Sequence, residues 1–197
     1  MNFEHLLQIN DPENPLVAPL TRLELWQGML HRVENPIPFL PGLEACTILE
    51  RKGNELLREL DFGPAVIQDR VTLNELHSVS FTIVPSEAHA GGHLSITIEE
   101  PEPSFLFLRF AYETTLASNP NSEERAYIEY VKSAYHQSDV DCVRIIRTLA
   151  AGGLPQKLID TLAGEVVLVT TKVIDNFAVG FHLKNTGGKR RDKLSVM

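Results

Sequence analysis

Arg58, Asp69, Arg109 and Tyr112 are the side chains best placed to do chemistry, because each stands in a run of otherwise apolar, strand-forming residues. Arg58 and Glu59 are neighbours, so a strand turns them to opposite faces. Arg58 shares its face with Leu56, Leu60 and Phe62, which directs it inward. Asp69 keeps company with Ile67, Val71 and Leu73, Arg109 with Phe105 and Phe107, and Tyr112 with Leu106, Leu108 and Phe110. A charge on an apolar face is costly to bury unless it is paired. Such groups could hold a ligand carboxylate, polarise a carbonyl or stabilise an enolate, with Asp69 or a tyrosine as acid/base partner. A structural ion pair, or a charge on the solvated face of a sheet, would leave the same pattern. Tyr130 and Tyr135, on a helical stripe, could turn hydroxyls into an apolar space that needs a few polar groups for orientation. Core packing with the hydroxyl satisfied at the edge is the alternative for both.

Other chemistries find no support. The seven histidines show no metal-ligand spacing; His89 and His93 are four apart, but Gly91-Gly92 between them opposes a helical ligand pair. No metal and no cofactor are expected. Ala90-Gly91-Gly92 lacks the lysine of a phosphate-cradling loop, and Gly152-Gly153 follows a helix instead of opening one. There is no Gly-x-Ser-x-Gly elbow. Cys46 and Cys142 lie far apart with no neighbouring base, and both read as buried free thiols.

The elements that must carry these residues are legible. Phe3 to Ile9 reads as a strand ended by Asn10-Asp11-Pro12. Thr21 with Glu24 three residues on has capping-box spacing, and Leu25, Trp26, Met29, Leu30 and Val33 recur at helical spacing. Prolines 36, 38 and 41 end that helix, with a further helical turn expected over Pro36 to Leu40. Six strands follow: Ala45–Arg51, Glu55–Phe62, Ala65–Leu73, His77–Val84, His93–Glu100 and Phe105–Thr115. Ser122 to Ala151 is one long amphipathic helix, with Ser122 as cap, acidic residues in the first turn and Gly152-Gly153 as the stop. Its stripe takes in Tyr127, Tyr130, Val131, Tyr135, Cys142, Ile145 and Ile146, with Asp139 assigned to the polar side. An antiparallel meander followed by one long helix predicts an α+β domain, a sheet of about seven strands curled around that helix.

The 197 residues suffice for one domain with a substantial core, and 43% hydrophobic with 22% charged residues is ordinary for a globular chain. A net charge of −8 opposes nucleic-acid binding, which needs a basic face to displace counterions. No apolar run reaches the roughly 18–20 residues of a membrane helix. With no charged-then-apolar leader at the N-terminus, a cytoplasmic protein is expected.

Several segments resemble one family. They are Asn2-Phe3-Glu4-His5 through Asn10-Asp11-Pro12, Leu20-Thr21-Arg22 with Leu25-Trp26, and Leu56-Leu57-Arg58-Glu59-Leu60. Asp69-Arg70-Val71, Glu99-Glu100-Pro101, and Glu129-Tyr130-Val131-Lys132-Ser133-Ala134-Tyr135 complete the set. Together they are similar to the AtaL-like family of the START-like (helix-grip) superfamily, over about residues 1 to 150. The resemblance implies a cavity-forming domain related to lipid carriers and aromatic-polyketide cyclases, and it carries no agreed catalytic motif. On that plan the helix bearing Trp26 sits at the open end of the grip, where the indole could cap a ligand; a core aromatic is the alternative.

A helix-grip domain is thus expected over residues 1–153, with 154–197 as a C-terminal extension. In the extension, Pro155–Leu162 reads as a short helix, Glu165–Val173 and Phe177–Leu183 as a hairpin, and the remainder as a basic tail. The function expected first is binding of a small hydrophobic or aromatic molecule, oriented by some of Trp26, Arg58, Asp69, Arg109, Tyr112, Tyr130 and Tyr135. A cyclase- or aromatase-like enzyme is the second reading, and an interaction module with a filled grip the third. No partner macromolecule or oligomeric state is legible.

Overall fold

The computed structural model describes residues 2–87, 90–115 and 121–152. Strand β1 (Asn2–Gln8) leads to helix α1 (Arg22–Glu34), and strands β2 (Ala45–Lys52), β3 (Glu55–Asp61) and β4 (Val66–Asn74) follow. Then come β5 (Ser78–Ile83), β6 (Gly92–Glu99), β7 (Phe107–Glu113) and the long helix α2 (Ser122–Ala150). Every element expected within these residues is present, with ends shifted by a residue or two. The expected helical turn at Pro36 is a single hydrogen-bonded turn, in which Phe39 and Leu40 both donate to the Pro36 carbonyl. The expected helix, hairpin and tail of the C-terminal extension lie outside the described residues.

All seven strands form one antiparallel sheet in the order β1-β7-β6-β5-β4-β3-β2. The sheet is open and curved, and α2 lies in its concave side: this is the α+β helix-grip architecture. The meander follows from turn chemistry and alternation. Gly53, at φ +60°, supplies the left-handed residue that turns β2 into β3. Along β3, Leu56, Arg58 and Leu60 are buried while Leu57, Glu59 and Asp61 are half-buried, so period two selects the inner face. In β7 the inner set is Leu108, Phe110 and Tyr112.

Helix α1 starts at a complete capping box. Glu24 N donates to Thr21 Oγ1 at 3.1 Å, and Thr21 N donates back to the Glu24 carboxylate at 2.7 Å. The helix packs on α2 at very close range. A Cβ built on Gly28 would stand 2.5 Å from Ile146 Cγ2. That approach fixes what comes one turn later on α1, where Arg32 points into the space between sheet and helices.

Candidate functional site

The concave side of the sheet is apolar apart from two clusters, and the first is closed upon itself. Arg58 and Asp69 stand directly opposite in the β3–β4 register. Arg58 Nε donates to Asp69 Oδ1 at 2.9 Å and Nη2 to Oδ2 at 2.6 Å, a side-on bidentate pair. Arg58 Nη1 donates to the carbonyl of Val33 at 2.8 Å. Val33 is in the last turn of α1, where a cation also complements the helix dipole. With all three of its nitrogens engaged and only 1% of its surface exposed, Arg58 is a clasp between α1 and the sheet.

The second cluster is open in hydrogen-bonding terms. Arg32 is 6% exposed, yet its Nε and Nη1 have no hydrogen-bond partner among the described residues. Its guanidinium carbon lies 5.5 Å from the centroid of Phe81, and that of Arg58 lies 5.3 Å from the same ring. The ring thus holds both cations through its π face. Arg32 also borders the Cys142 thiol, which burial keeps neutral, so the counter-charge within its reach is the Asp139 carboxylate.

One turn before Cys142 on α2, and near enough to act on the charge of Arg32, the carboxyl of Asp139 is fully buried. Tyr112 Oη donates to Asp139 Oδ2 at 2.7 Å, and His5 Nε2 stands 3.0 Å from the same oxygen without hydrogen-bond alignment. Asp139 Oδ1 has no partner among the described residues. Burial, and then the charge of Asp139, raise the Tyr112 pKa well above that of a free phenol, so Tyr112 is a fixed donor.

Around this carboxyl the walls are aromatic. Tyr112 stacks on Tyr135 (centroids 4.6 Å apart) and on Phe3 (4.9 Å), and His5 stacks on Phe110 (5.4 Å). His5 meets His136 edge-on at 4.9 Å. Among the described residues no group of three or more His, Cys, Asp or Glu is arranged to hold a metal ion.

The residues singled out from the sequence divide accordingly. Arg58, Asp69, Tyr112 and Tyr135 face the interior, Tyr112 and Tyr135 at the open cluster and Arg58 with Asp69 in the closed pair. Trp26 is buried in the main core beside Leu25 and Met29. Arg109 is corrected to the outer face, where it binds Glu99 (Nε to Oε1, 2.5 Å) and Glu4 (Nη1 to Oε1, 2.7 Å). It alternates with the buried Leu108 and Phe110, so the pleat turns it to solvent. Tyr130 is corrected likewise: at 42% exposure it lies off the buried line of Ile128, Val131, Asp139, Cys142 and Ile146. Asp139 moves the other way, from the expected polar side to the buried line.

Arg32, Asp139 and His5 were not singled out by sequence reasoning, although spacing contained the first two. Leu25, Gly28, Met29 and Arg32 follow the i, i+3, i+4, i+7 rule of a buried stripe. Asp139 falls four residues after Tyr135 and three before Cys142. His5 shares one face of β1 with Phe3 and Leu7.

The geometry can be set beside known proteins. Residues 7–153 match the family described as AtaL, acetylaranotin biosynthesis cluster protein L. The chain belongs to the AtaL family. No curated protein matches its sequence. Among solved structures it is similar to the Zhui aromatase/cyclase from Streptomyces sp. R1128 (16% identity, TM-score 0.56), covering 78% of this chain and 99% of that one. It is also similar to the di-domain ARO/CYC StfQ from the steffimycin biosynthetic pathway (13%, TM-score 0.53, 77% and 52% covered). A third is norcoclaurine synthase from Thalictrum flavum, in complex with dopamine and hydroxybenzaldehyde (10%, TM-score 0.52, 79% and 89% covered). At these identities the likeness establishes the fold of this AtaL-family chain and nothing finer.

Proposed function

We propose that the grip of this AtaL-family protein binds a small hydrophobic or aromatic molecule between the concave sheet and α2. The observation that carries this reading is the set of buried, unpartnered polar atoms, Arg32 Nε and Nη1 with Asp139 Oδ1. Buried polar groups are nearly always hydrogen-bonded, and buried N–H and carboxyl atoms left without a hydrogen bond are costly. Two such groups of opposite character, flanked by the Phe3, Tyr112 and Tyr135 rings, fit a site completed by a guest. Apolar contact would supply affinity at roughly 25 cal/mol per Å² buried, less the cost of ordering. A cytoplasmic location belongs to the same reading; among the described residues no helix is long and apolar enough to cross a membrane. The test is thermal denaturation against a panel of bicyclic aromatics, aromatic acids, ketides and fatty acids. Binding raises Tm, with a stabilisation that grows as the logarithm of ligand excess over Kd. A flat response across the panel overturns the reading in favour of a filled grip that serves as an interaction module.

A second reading is favoured by one specific feature, a buried arginine and a buried carboxyl that both retain free valences. In a cyclase- or aromatase-like reaction on a ketide-like substrate, Arg32 would stabilise an enolate oxygen and Asp139 would move the proton, with Tyr112 holding Asp139 in place. Arg58 and Asp69 are too fully engaged with each other for these roles. Catalysed exchange of α-protons of a soluble 1,3-diketone into D2O, lost in Asp139→Asn, tests it; exchange at the uncatalysed rate excludes it.

A further inference from the structure

Resting on the ligand-binding reading above, we infer that Arg32 and Asp139 select the chemical class of the guest. It is an aromatic body carrying at one end both an acceptor oxygen, carbonyl or carboxylate, and a hydroxyl donor. Arg32 presents only donors, and no described carboxylate closes an ion pair with it. One face of its guanidinium is turned to the Phe81 ring, which leaves the N–H edges for hydrogen bonding. On α2 the Cys142 thiol beside it is a weak and neutral acceptor, and Asp139 offsets its charge without engaging Nε or Nη1. The missing complement is therefore an electron-rich oxygen, carbonyl or carboxylate.

Asp139 presents the opposite need. Oδ2 is engaged by the Tyr112 hydroxyl, and Oδ1 is a bare acceptor sealed from solvent. Its complement is a donor, and an O–H serves where a second anion would be repelled. A guest with a carboxylate alone would satisfy Arg32 and leave Asp139 Oδ1 bare; a simple alcohol would do the reverse. Only a molecule bearing both groups completes the cluster. The stacked Phe3, Tyr112 and Tyr135 rings favour a planar body.

Four probes of one shape separate these terms: naphthalene, 1-naphthol, 2-naphthoate and 4-hydroxy-2-naphthoate, whose hydroxyl cannot reach its own carboxylate, each titrated calorimetrically into the full-length protein. The hydroxy acid is expected to bind at least tenfold tighter than either singly substituted probe, and naphthalene weakest. Arg32→Gln should reduce the gain from the carboxylate, and Asp139→Ala, which removes the acceptor, the gain from the hydroxyl. Equal affinity for all four wild-type titrations overturns the selection while leaving ligand binding intact. A crystal of the hydroxy-acid complex with only water on Arg32 and Asp139 overturns it as well. No binding of any probe overturns the ligand-binding reading and this inference together. Because the wild-type series is decisive alone, loss of folding in a variant does not shelter the claim.

Discussion

Arg58 ties two layers of the fold together through Val33: its Nη1 donates to the Val33 carbonyl at the C-terminal turn of α1, 2.8 Å away. The same guanidinium is held flat by Asp69 across the β3–β4 pair. Breaking one side of such a buried pair leaves an uncompensated charge, at a cost of about 3–5 kcal/mol. Arg58→Met is therefore expected to lower stability by that order in urea denaturation. Arg58→Met combined with Asp69→Leu should recover most of the loss, because no orphaned charge remains. A double variant as unstable as the single one would show that the Val33 contact, not the ion pair, carries the clasp.

Gly28 is the second fixed point. A methyl group there would meet Ile146 at its Cγ2 and Cγ1, 2.5 and 2.7 Å away, atoms close to the helix backbone with little room to yield. Gly28→Ala gains helix propensity but overpacks the α1–α2 contact, and such insertions cost about 1–3 kcal/mol. A lowered Tm is expected, together with weakened aromatic binding because Arg32 lies one turn away on the same face. A raised Tm would mean that α1 and α2 stand further apart than described.

Alkaline pH offers a direct view of the interior. Burial raises the pKa of both Tyr112 and Tyr135 above the ordinary phenol value of 10.0. The folded state then retains protons that the unfolded state releases, so stability is intact below pH 10 and falls as pH climbs from there towards the folded values. Phenolate absorbance of these two residues should appear only with unfolding, and Tyr112→Phe should remove part of that coincident step. Their smooth titration near pH 10 in a protein still folded by circular dichroism would contradict the burial.

Arg109 and Tyr130 serve as controls for the site. Arg109 is engaged with Glu4 and Glu99 on the outer face, where ion pairs are weak and salt-screened. Arg109→Met and Tyr130→Phe should leave probe affinity within twofold of wild type and Tm nearly unchanged. A large loss of binding in either would relocate the site to the outside of the sheet or helix.

Most of the fold was legible because alternation and helical spacing report one thing well, namely which face of an element is apolar. Period two put Arg58 and Asp69 on the inner face, and the register then made them partners. It failed at Arg109 because β7 is apolar on both faces: Phe105 and Phe107 flank Arg109 just as Leu108 and Phe110 flank Tyr112. It failed at Tyr130 because an aromatic near a buried stripe is indistinguishable in type from one on it. The open cluster was hidden for a converse reason. Arg32 and Asp139 are charged, and charged residues are ordinarily assigned to the solvated side, although their spacing put both on buried lines. What reveals them is the contact between elements distant in sequence, α1 on α2 through Gly28 and Ile146, and β1 beside β7 through Phe3 and Tyr112. Residue spacing within a single helix or strand carries no information about such contacts.

Whether the grip holds a small aromatic or hydrophobic guest through its open polar cluster can be read by native mass spectrometry. The protein is purified from its own cells beside Arg32→Gln, with bound molecules extracted and identified. A discrete small-molecule adduct is expected on the wild type, absent or much reduced in the variant. An adduct retained equally by both would contradict the assignment of Arg32, and a wild type bare of any adduct that also gives no thermal shift with the aromatic panel would contradict ligand binding itself.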